Sequence, residues 1–490
     1  MSIGAFELTS HLERPLGRGH VPDDDFTGAA GGAACGDLLR VSIAIDPHSP
    51  EGLIADAGFD ASGCGAAVAA GSAAVSLVRG APLLDAARIG AEQIADALGG
   101  LSEAKRHAAE LAADALHRAL GAAARARGAL APAANRTLIA MSGGVDSAVA
   151  ALLVARDGAE AVGVTLELWS DPDNDGELSC CSAQAVRGAR ELAHGLGMPH
   201  LSIDLRAEFR AGVVERWLSD HAAGLTPNPC VRCNGNVRLD AMIELARRLG
   251  SETLATGHYA RVSDAEPDPL LRVAVDEAKD QSYALCALSP ASLARMRFPL
   301  GSLHKRQVRE LAEQAGLSVA RKRDSQDLCF LAGTRQGAFL ERHGGLARNP
   351  GAILDPQGEV IGEHAGAHLL TVGQRRGLGL SAAAPLYVLS TDATANTVTV
   401  GPRRELLART LPIEDVTLHR DGRCVDGVRV RAHGRRRACD PLSDGRAVHR
   451  AGRHARVDVA LHEPAERTAP GQIACLYAGD TVVGYGTIAP

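Results

Sequence analysis

Lysine is nearly missing from this chain. Its 490 residues hold 52 Lys+Arg, of which only four are lysines, at 105, 279, 305 and 322. Together with abundant alanine, this reads mainly as nucleotide bias. Aromatics are also scarce, at 3%, so Ala, Leu and Val must fill the cores. No run of about 18 apolar residues occurs, and no apolar stretch opens the N-terminus. That excludes a spanning helix or a secretory leader and points to the cytoplasm, with no membrane partner. Eleven cysteines in such a compartment argue for metal or sulfur chemistry over structural disulfides.

The length predicts about two to four domains. The net charge of −6 hides a local reversal. Residues 401–456 carry 14 Arg against 7 Asp and Glu, a net of +7. Such a window is either a solvated surface with biased codons or an electrostatic footprint for nucleic acid.

The richest stretch is Thr137–Ser147, TLIAMSGGVDS. An apolar run, Leu138–Met141, breaks at Ser142, Gly143 and Gly144, and a helix opens near Val145, Asp146 and Ser147. A strand that turns through glycines into a helix aims backbone N–H groups and the positive end of the helix dipole at one spot, where a phosphate fits. No lysine follows the glycines, so this is not the GxxxxGK[ST] loop. SGGVDS resembles the pyrophosphate loop of ATP pyrophosphatases, which adenylate an oxygen and release pyrophosphate.

Residues 1–125 read as a separate α+β unit: a strand at Val41–Ile45, a small-residue helix at Cys64–Val78, and Ala/Leu helices at Leu83–Leu98 and Glu103–Leu120. Its chemistry sits at Cys35–Asp37, around Cys64, and at Lys105–Glu110. Residues 126–136 read as a linker. From 137 to 285, strands near 138–141, 161–166, 201–203 and 253–256 alternate with helices, which predicts a doubly wound parallel sheet with ligands at the strand ends. In TPNPCVRCN, Thr226–Asn234, two prolines predict an extended loop that displays Cys230 and Cys233. A CxxC pair alone admits zinc, redox or chance. Cys329 is a candidate partner, and Arg321, Lys322 and Arg323 would favour its thiolate. Lys305, Arg306, Gln307 and Arg309 suggest a basic RNA contact. Residues 286–384 read as a central domain. Short strands from 385 to 490 predict an antiparallel barrel. Cys180, Cys181, Cys286, Cys424, Cys439 and Cys475 are assigned to packing or surface.

Two family resemblances follow. From about Gly31 to Leu120 the chain is similar to iron–sulfur scaffold proteins of the NifU/IscU type, through CGD, the GCG around Cys64, the Leu98–Leu101 turn and the KxH at Lys105–His107. The resemblance implies that Cys35, Asp37 and Cys64 are metal ligands. The third cysteine of that family would follow His107, where this chain has Ala108. Cys35, Asp37, Cys64 and His107 could still hold zinc or a labile cluster; a degenerate docking or dimerisation domain is the other reading.

Over 136–490, SGGVDS, TPNPCxxCN, ATGHY, KDQSY, FPLG, DSxDLCF, GQRRGLG and PGQ resemble, in order, the bacterial tRNA 2-thiouridylases of the MnmA family. The resemblance implies an ATP-dependent tRNA sulfurtransferase with a pyrophosphatase domain and a C-terminal barrel. ATP, with Mg²⁺, would be held by Ala140, Met141, Ser142, Gly143, Gly144, Val145, Asp146, Ser147, Leu166 and Gly257. Cys233 would be the nucleophile and Cys329 the persulfide carrier, fed by a cysteine desulfurase or another donor. Asn228, Pro229, Cys230, His258, Lys279, Asp280, Gln281, His433, Gly434 and Gln472 would touch tRNA at the wobble uridine. Some family members have Asp where this chain has Cys230. Cys230, Cys233 and Cys329 could therefore hold a [4Fe–4S] cluster instead. An amide- or argininosuccinate-forming enzyme with the same loop, or an iron–sulfur carrier with a vestigial ATP fold, are the alternatives.

Overall fold

The computed structural model describes residues 3–31, 36–127, 130–171, 182–264, 267–322, 328–331, 333–443 and 447–490. Cys35, Cys180, Cys181 and Arg323 lie outside them.

The N-terminal unit is built on an antiparallel sheet of Phe26–Gly31, Leu38–Ile45 and Ile54–Ser62. Leu39, Val41 and Ile43 alternate inward and are fully buried. The helix Gly65–Val78 is made of small residues, which lets it come close to the sheet: a Cβ on Gly71 would stand 2.3 Å from the Phe59 ring. The predicted helix over Leu83–Leu98 is two pieces, Leu83–Ala86 and Ala91–Ala97, because Gly90 is extended and caps the second.

The helix Arg106–Arg127 crosses this sheet and runs past the predicted helix end at Leu120. Only the first two residues of the expected linker, 126 and 127, are therefore helical. Residues as far as Arg127 are helical, since alanine and arginine favour helix. Beyond them the backbone is pinned on both sides: Ala131 N donates to Pro50 O at 2.7 Å, and Ala133 N donates to Gly250 O at 2.8 Å. The same helix lies on the edge of the second sheet, where a Cβ on Gly121 would stand 1.9 Å from Ser202 O. Arg118 pairs with Glu167 at 2.8 Å, and Arg187 with Asp114 at 2.7 Å. Two modules thus share one long helix.

The second sheet is parallel, in the order Met296–Arg297, Thr253–Thr256, Arg136–Ala140, Glu160–Glu167, His200–Asp204. Winding proceeds outward from Arg136–Ala140 on one side, then returns to build the other. The reversal falls between Arg136–Ala140 and Thr253–Thr256, the place where such sheets open a ligand crevice.

Two β-units follow. Gly351–Leu354, Val360–His364, Tyr387–Asp392 and Thr397–Gly401 form one four-stranded sheet. The predicted barrel boundary near 385 is corrected accordingly: the last two of these strands belong here, because Thr397–Gly401 pairs in parallel with Gly351–Leu354. The barrel itself begins at Leu407. Its strands run Arg437–Ala438, Gly427–Arg429, Ile473–Ala478, Thr481–Ile488, Leu407–Leu418, Gly452–Glu466, and an antiparallel bridge between Cys439 and Leu461 closes the ring. Among the described residues no helix is long and apolar enough to cross a membrane.

Candidate active site

The crevice is lined by the Ser142 turn and the end of Thr253–Thr256. Gly143 sits at φ +67, a conformation that glycine adopts without strain. Gly144 is the N-cap of helix Val145–Arg156 and supplies no side-chain cap, so the first N–H groups of the helix face the crevice. Ser147 braces the turn: its hydroxyl donates to Gly144 O at 3.1 Å and accepts from Ser142 N at 3.2 Å. Gly257 presses on the helix start, where a Cβ would stand 2.6 Å from Ser147 N. Ala140, Met141 and Leu166 are buried at the strand ends behind the turn, Ala140 and Leu166 in one apolar cluster and Met141 in another.

Asp146 is held by two groups. Tyr259 donates its hydroxyl to Asp146 at 2.9 Å, and the Lys305 ammonium reaches both carboxylate oxygens at 2.7 and 2.8 Å. Lys322 donates to Gly143 O at 3.0 Å. Both lysines thus depart from their expected roles. Lys305 is at the nucleotide turn and not on an RNA-facing helix surface, and the Lys322 ammonium is directed to that turn instead of to Cys329. Tyr259 was read only as part of ATGHY.

The thiol motif is helical, which corrects the expected extended display. Asn228 accepts from Cys230 N at 3.1 Å and Val231 N at 3.3 Å, Pro229 occupies the first turn, and Pro229–Arg232 forms a helix. Cys233 then begins a π-helical turn through Arg238 and is buried. Asn234 anchors it through Ala284 O at 3.1 Å. Cys230 is exposed. Desolvation by the surrounding protein nonetheless pushes the Cys230 thiol above its ordinary value, while the Arg238 guanidinium pulls it down. Burial also drives His258 down to about 3, and Arg238 adds to that. The positive charge of Arg238 thus acts on both groups. Sequence reasoning passed over it, because one arginine among so many carries no signal.

Cys329 is half-buried beside Phe330, which packs on Trp217 at 5.3 Å, Phe339 at 5.2 Å, Phe209 at 6.0 Å and Trp169 at 6.4 Å. Both tryptophans of the chain are in this cluster. The segment 206–214, which carries Phe209, also packs against the Cys233 turn. One scaffold thus supports both thiol segments, and no disulfide is formed among the described residues.

The expected RNA contacts divide. Asp280 is buried; it accepts from Ala274 N and Ser282 and pairs with Arg429 of the barrel at 2.6 Å. The Asp280 side chain is 2% exposed and committed within the protein, so it is not free to meet tRNA as expected. The Gln281 side chain accepts from Tyr259 N at 2.9 Å. Gln472 donates to Thr226 O at 2.6 Å, so the barrel's PGQ turn grips the TPNPC loop. Lys279 and Gly434 are half-buried and His433 is exposed.

In the N-terminal unit the Cys64 thiol donates to Asp37 at 3.1 Å, and His107 Nε2 lies 3.3 Å from the same carboxylate oxygen. The Cys64 hydrogen bond holds Asp37 below the usual carboxylate range, with His107 adding to it. The three ligand atoms lie within 4.8 Å of one another, beside a cleft of about 320 Å³ lined by Leu8, Leu12 and Lys105. One sulfur, one nitrogen and one oxygen at this spacing suit a tetrahedral zinc ion. Ala108 is buried in the core.

Comparison with known proteins agrees with this division. Residues 6–127 match the "NifU-like N terminal domain", 135–333 the "tRNA methyl transferase HUP domain", 337–402 the "tRNA methyl transferase PRC-barrel domain" and 423–488 the "Aminomethyltransferase beta-barrel domain". The "Bifunctional protein NifU/MnmA" of Rubrobacter xylanophilus is 42% identical over 497 residues, covering 98% of each chain.

The chain belongs to the bifunctional NifU/MnmA family.

Its MnmA portion is 44% identical over 368 residues to the "tRNA-specific 2-thiouridylase MnmA" of Thermobifida fusca, covering 72% of this chain and 95% of that one. The NifU portion ends where the long shared helix ends, at residue 127.

Proposed function

We propose that the chain is an ATP-dependent tRNA 2-thiouridylase that acts on the wobble uridine, with a NifU-like module built onto it. The carrying observation is a chain of contacts from the thiol motif to the nucleotide turn: Asn234, next to Cys233, donates to Ala284 O, Gln281 of the same segment accepts from Tyr259 N, and the Tyr259 hydroxyl donates to Asp146. Sulfur chemistry and nucleotide chemistry therefore meet in one crevice.

A uridine C2 oxygen is a poor leaving group until it is adenylated. The N–H groups of the Ser142–Ser147 turn hold the phosphates as charge builds on them. Mg²⁺, when bound, would neutralise phosphate charge, with Asp146 as its protein ligand. Leu166 and Gly257 line the adenosine side. Asn228, Pro229 and Cys230 face the base, and Lys279, His433 and Gly434 meet the tRNA along the basic barrel window. The outer sulfur of a persulfide on Cys329 bonds to C2 as the C2–O bond to AMP breaks. The Cys233 thiolate, as nucleophile, then attacks the Cys329 sulfur. The S–S bond to the base breaks, a Cys233–Cys329 disulfide forms and 2-thiouridine is released. A cysteine desulfurase or a similar persulfide donor supplies the sulfur. Asp37, Cys64 and His107, with Cys35, hold zinc or a labile cluster in the NifU-like module.

The test is mass spectrometry of wobble uridine after incubation with tRNA, ATP and a persulfide donor. Wild type yields 2-thiouridine and Cys233→Ala yields none. Unmodified nucleoside with every donor would sink the assignment. Iron bound by the wild type and lost in Cys230→Ala would transfer the sulfur step to a cluster at Cys230, Cys233 and Cys329.

A further inference from the structure

The NifU-like module reaches both sides of the nucleotide crevice from a single turn of its long helix. Asp114 and Arg118 are four positions apart on helix Arg106–Arg127, so they share a face. On the adenosine side, Arg118 donates to both oxygens of Glu167, from Nε at 3.0 Å and from Nη2 at 2.8 Å. Glu167 directly follows Leu166 and ends strand Glu160–Glu167. On the phosphate side, Asp114 accepts from Arg187 at 2.7 Å and from Arg190 at 2.8 Å. Those arginines belong to helix Ala183–Gly195, whose first turn lies against the nucleotide turn: a Cβ on Gly143 would stand 3.0 Å from Ala185 O.

Both contacts are shielded from water. The side chains of Glu167, Asp114 and Arg190 are 7%, 11% and 4% exposed. A charge is stable in such a place only while it is paired. The Arg118 fork is also anchored on its own side, since Nη1 donates to Ala29 O of the module's sheet at 2.7 Å. Without Arg118, a shielded carboxylate stands alone at the strand end. Turning it out to water drags the backbone that carries Leu166. Without the Asp114 charge, Arg187 and Arg190 lose the group that holds their helix to the module.

We propose that Asp114 and Arg118 are positioning residues for the ATP site, a reading that rests on the ATP-dependent function above. The NifU-like module is then a fixed wall of the thiouridylase crevice, whatever its own metal site holds. Arg118 fixes the strand end that bears Leu166. Asp114 keeps helix Ala183–Gly195 against the Gly143 turn. Each acts through the residue it holds, so its loss weakens nucleotide binding and leaves the bound nucleotide's chemistry intact.

The experiment measures calorimetric binding of a non-cleavable α,β-methylene ATP analogue to the full chain and, separately, tRNA-dependent ATP–pyrophosphate exchange. Arg118→Met weakens analogue binding about tenfold; exchange KM for ATP rises to match while kcat stays within about threefold. Arg118→Lys keeps a charge beside Glu167 and binds within about threefold of wild type. The double variant Arg118→Met/Glu167→Met also binds within about threefold, because no shielded carboxylate is left alone. Arg125→Met is the control. Arg125 pairs with Glu208 about two turns further along the same helix, and its loss leaves binding within about threefold. Arg118→Met binding within about threefold of wild type overturns the proposal. So does an equal loss in Arg125→Met, or a loss that neither Arg118→Lys nor the double variant relieves. If Arg118→Met does not fold, Asp114→Asn decides, with the same loss of about tenfold expected and the same limit of about threefold. A wild type that binds the analogue but shows no exchange would instead count against the thiouridylase reading, and binding alone then judges the two positioning residues.

Discussion

Gly257 shows how tightly single residues constrain the crevice. A methyl group there would stand 2.6 Å from Ser147 N and 2.7 Å from the Asp146 carbonyl carbon, both backbone atoms that cannot rotate aside. Gly257→Ala must therefore push the end of Thr253–Thr256 away from the helix that opens at Val145. The expected cost is about 1–3 kcal/mol of stability, as for other overpacked sites. KM for ATP should rise by about tenfold if most of that strain falls on the bound turn. Urea unfolding and exchange kinetics of the variant check both numbers, and an unchanged KM would separate Gly257 from the nucleotide site. Residue chemistry was unevenly legible in the sequence. The glycine turn announced itself through local spacing. The partners of Asp146 did not: Tyr259 and Lys305 are more than a hundred positions away, and Asp280 looked like an exposed polar residue within KDQSY until the barrel's Arg429 covered it.

Among the elements, the helix Arg106–Arg127 joins the two modules, and it runs past the predicted end at Leu120. Alternation of apolar runs with helices was enough to predict the parallel sheet, because a buried strand writes its own pattern. Continuation of a helix through alanine and arginine writes none. What marks it is a glycine. Gly121 lies inside the helix, where glycine is ordinarily about 1 kcal/mol worse than alanine. Its Cβ would stand 1.9 Å from Ser202 O. Gly121→Ala should therefore reverse the usual helix-interior gain and destabilise the protein by about 1–3 kcal/mol. It should also speed proteolysis between residues 128 and 135. A stabilised variant would show that the helix does not bear on the sheet edge. The same limit explains the misplaced barrel boundary. Short strands look alike in sequence, and only the pairing of Thr397–Gly401 with Gly351–Leu354 assigns them to one sheet or another.

At the scale of the molecule, the NifU-like and thiouridylase portions share a single apolar core that runs from Leu39 and Phe59 through Leu116 and Leu120 to Val164 and Leu201. Their junction is rich in histidine. His200, on the edge strand, is fully buried; its backbone N–H donates to Ala87 O of the NifU-like module at 3.0 Å, and its Nε2 meets the Thr165 hydroxyl at 2.8 Å. Burial, then the nearby His117, Arg190 and His194, hold His200 well below 6.5, so it is neutral in the folded chain. The unfolded chain has no such restraint and takes up a proton as pH falls below about 6.5. The unfolded state then binds more protons than the folded one, so stability is full above that pH and declines beneath it. Between pH 7.5 and 5.5 the loss from one such histidine is about 1 kcal/mol. Urea midpoints at these two pH values should fall in the wild type, and His200→Gln should lessen the fall by about that amount. A wild-type midpoint that holds steady or rises on acidification would mean that this junction admits water and that the two portions can separate.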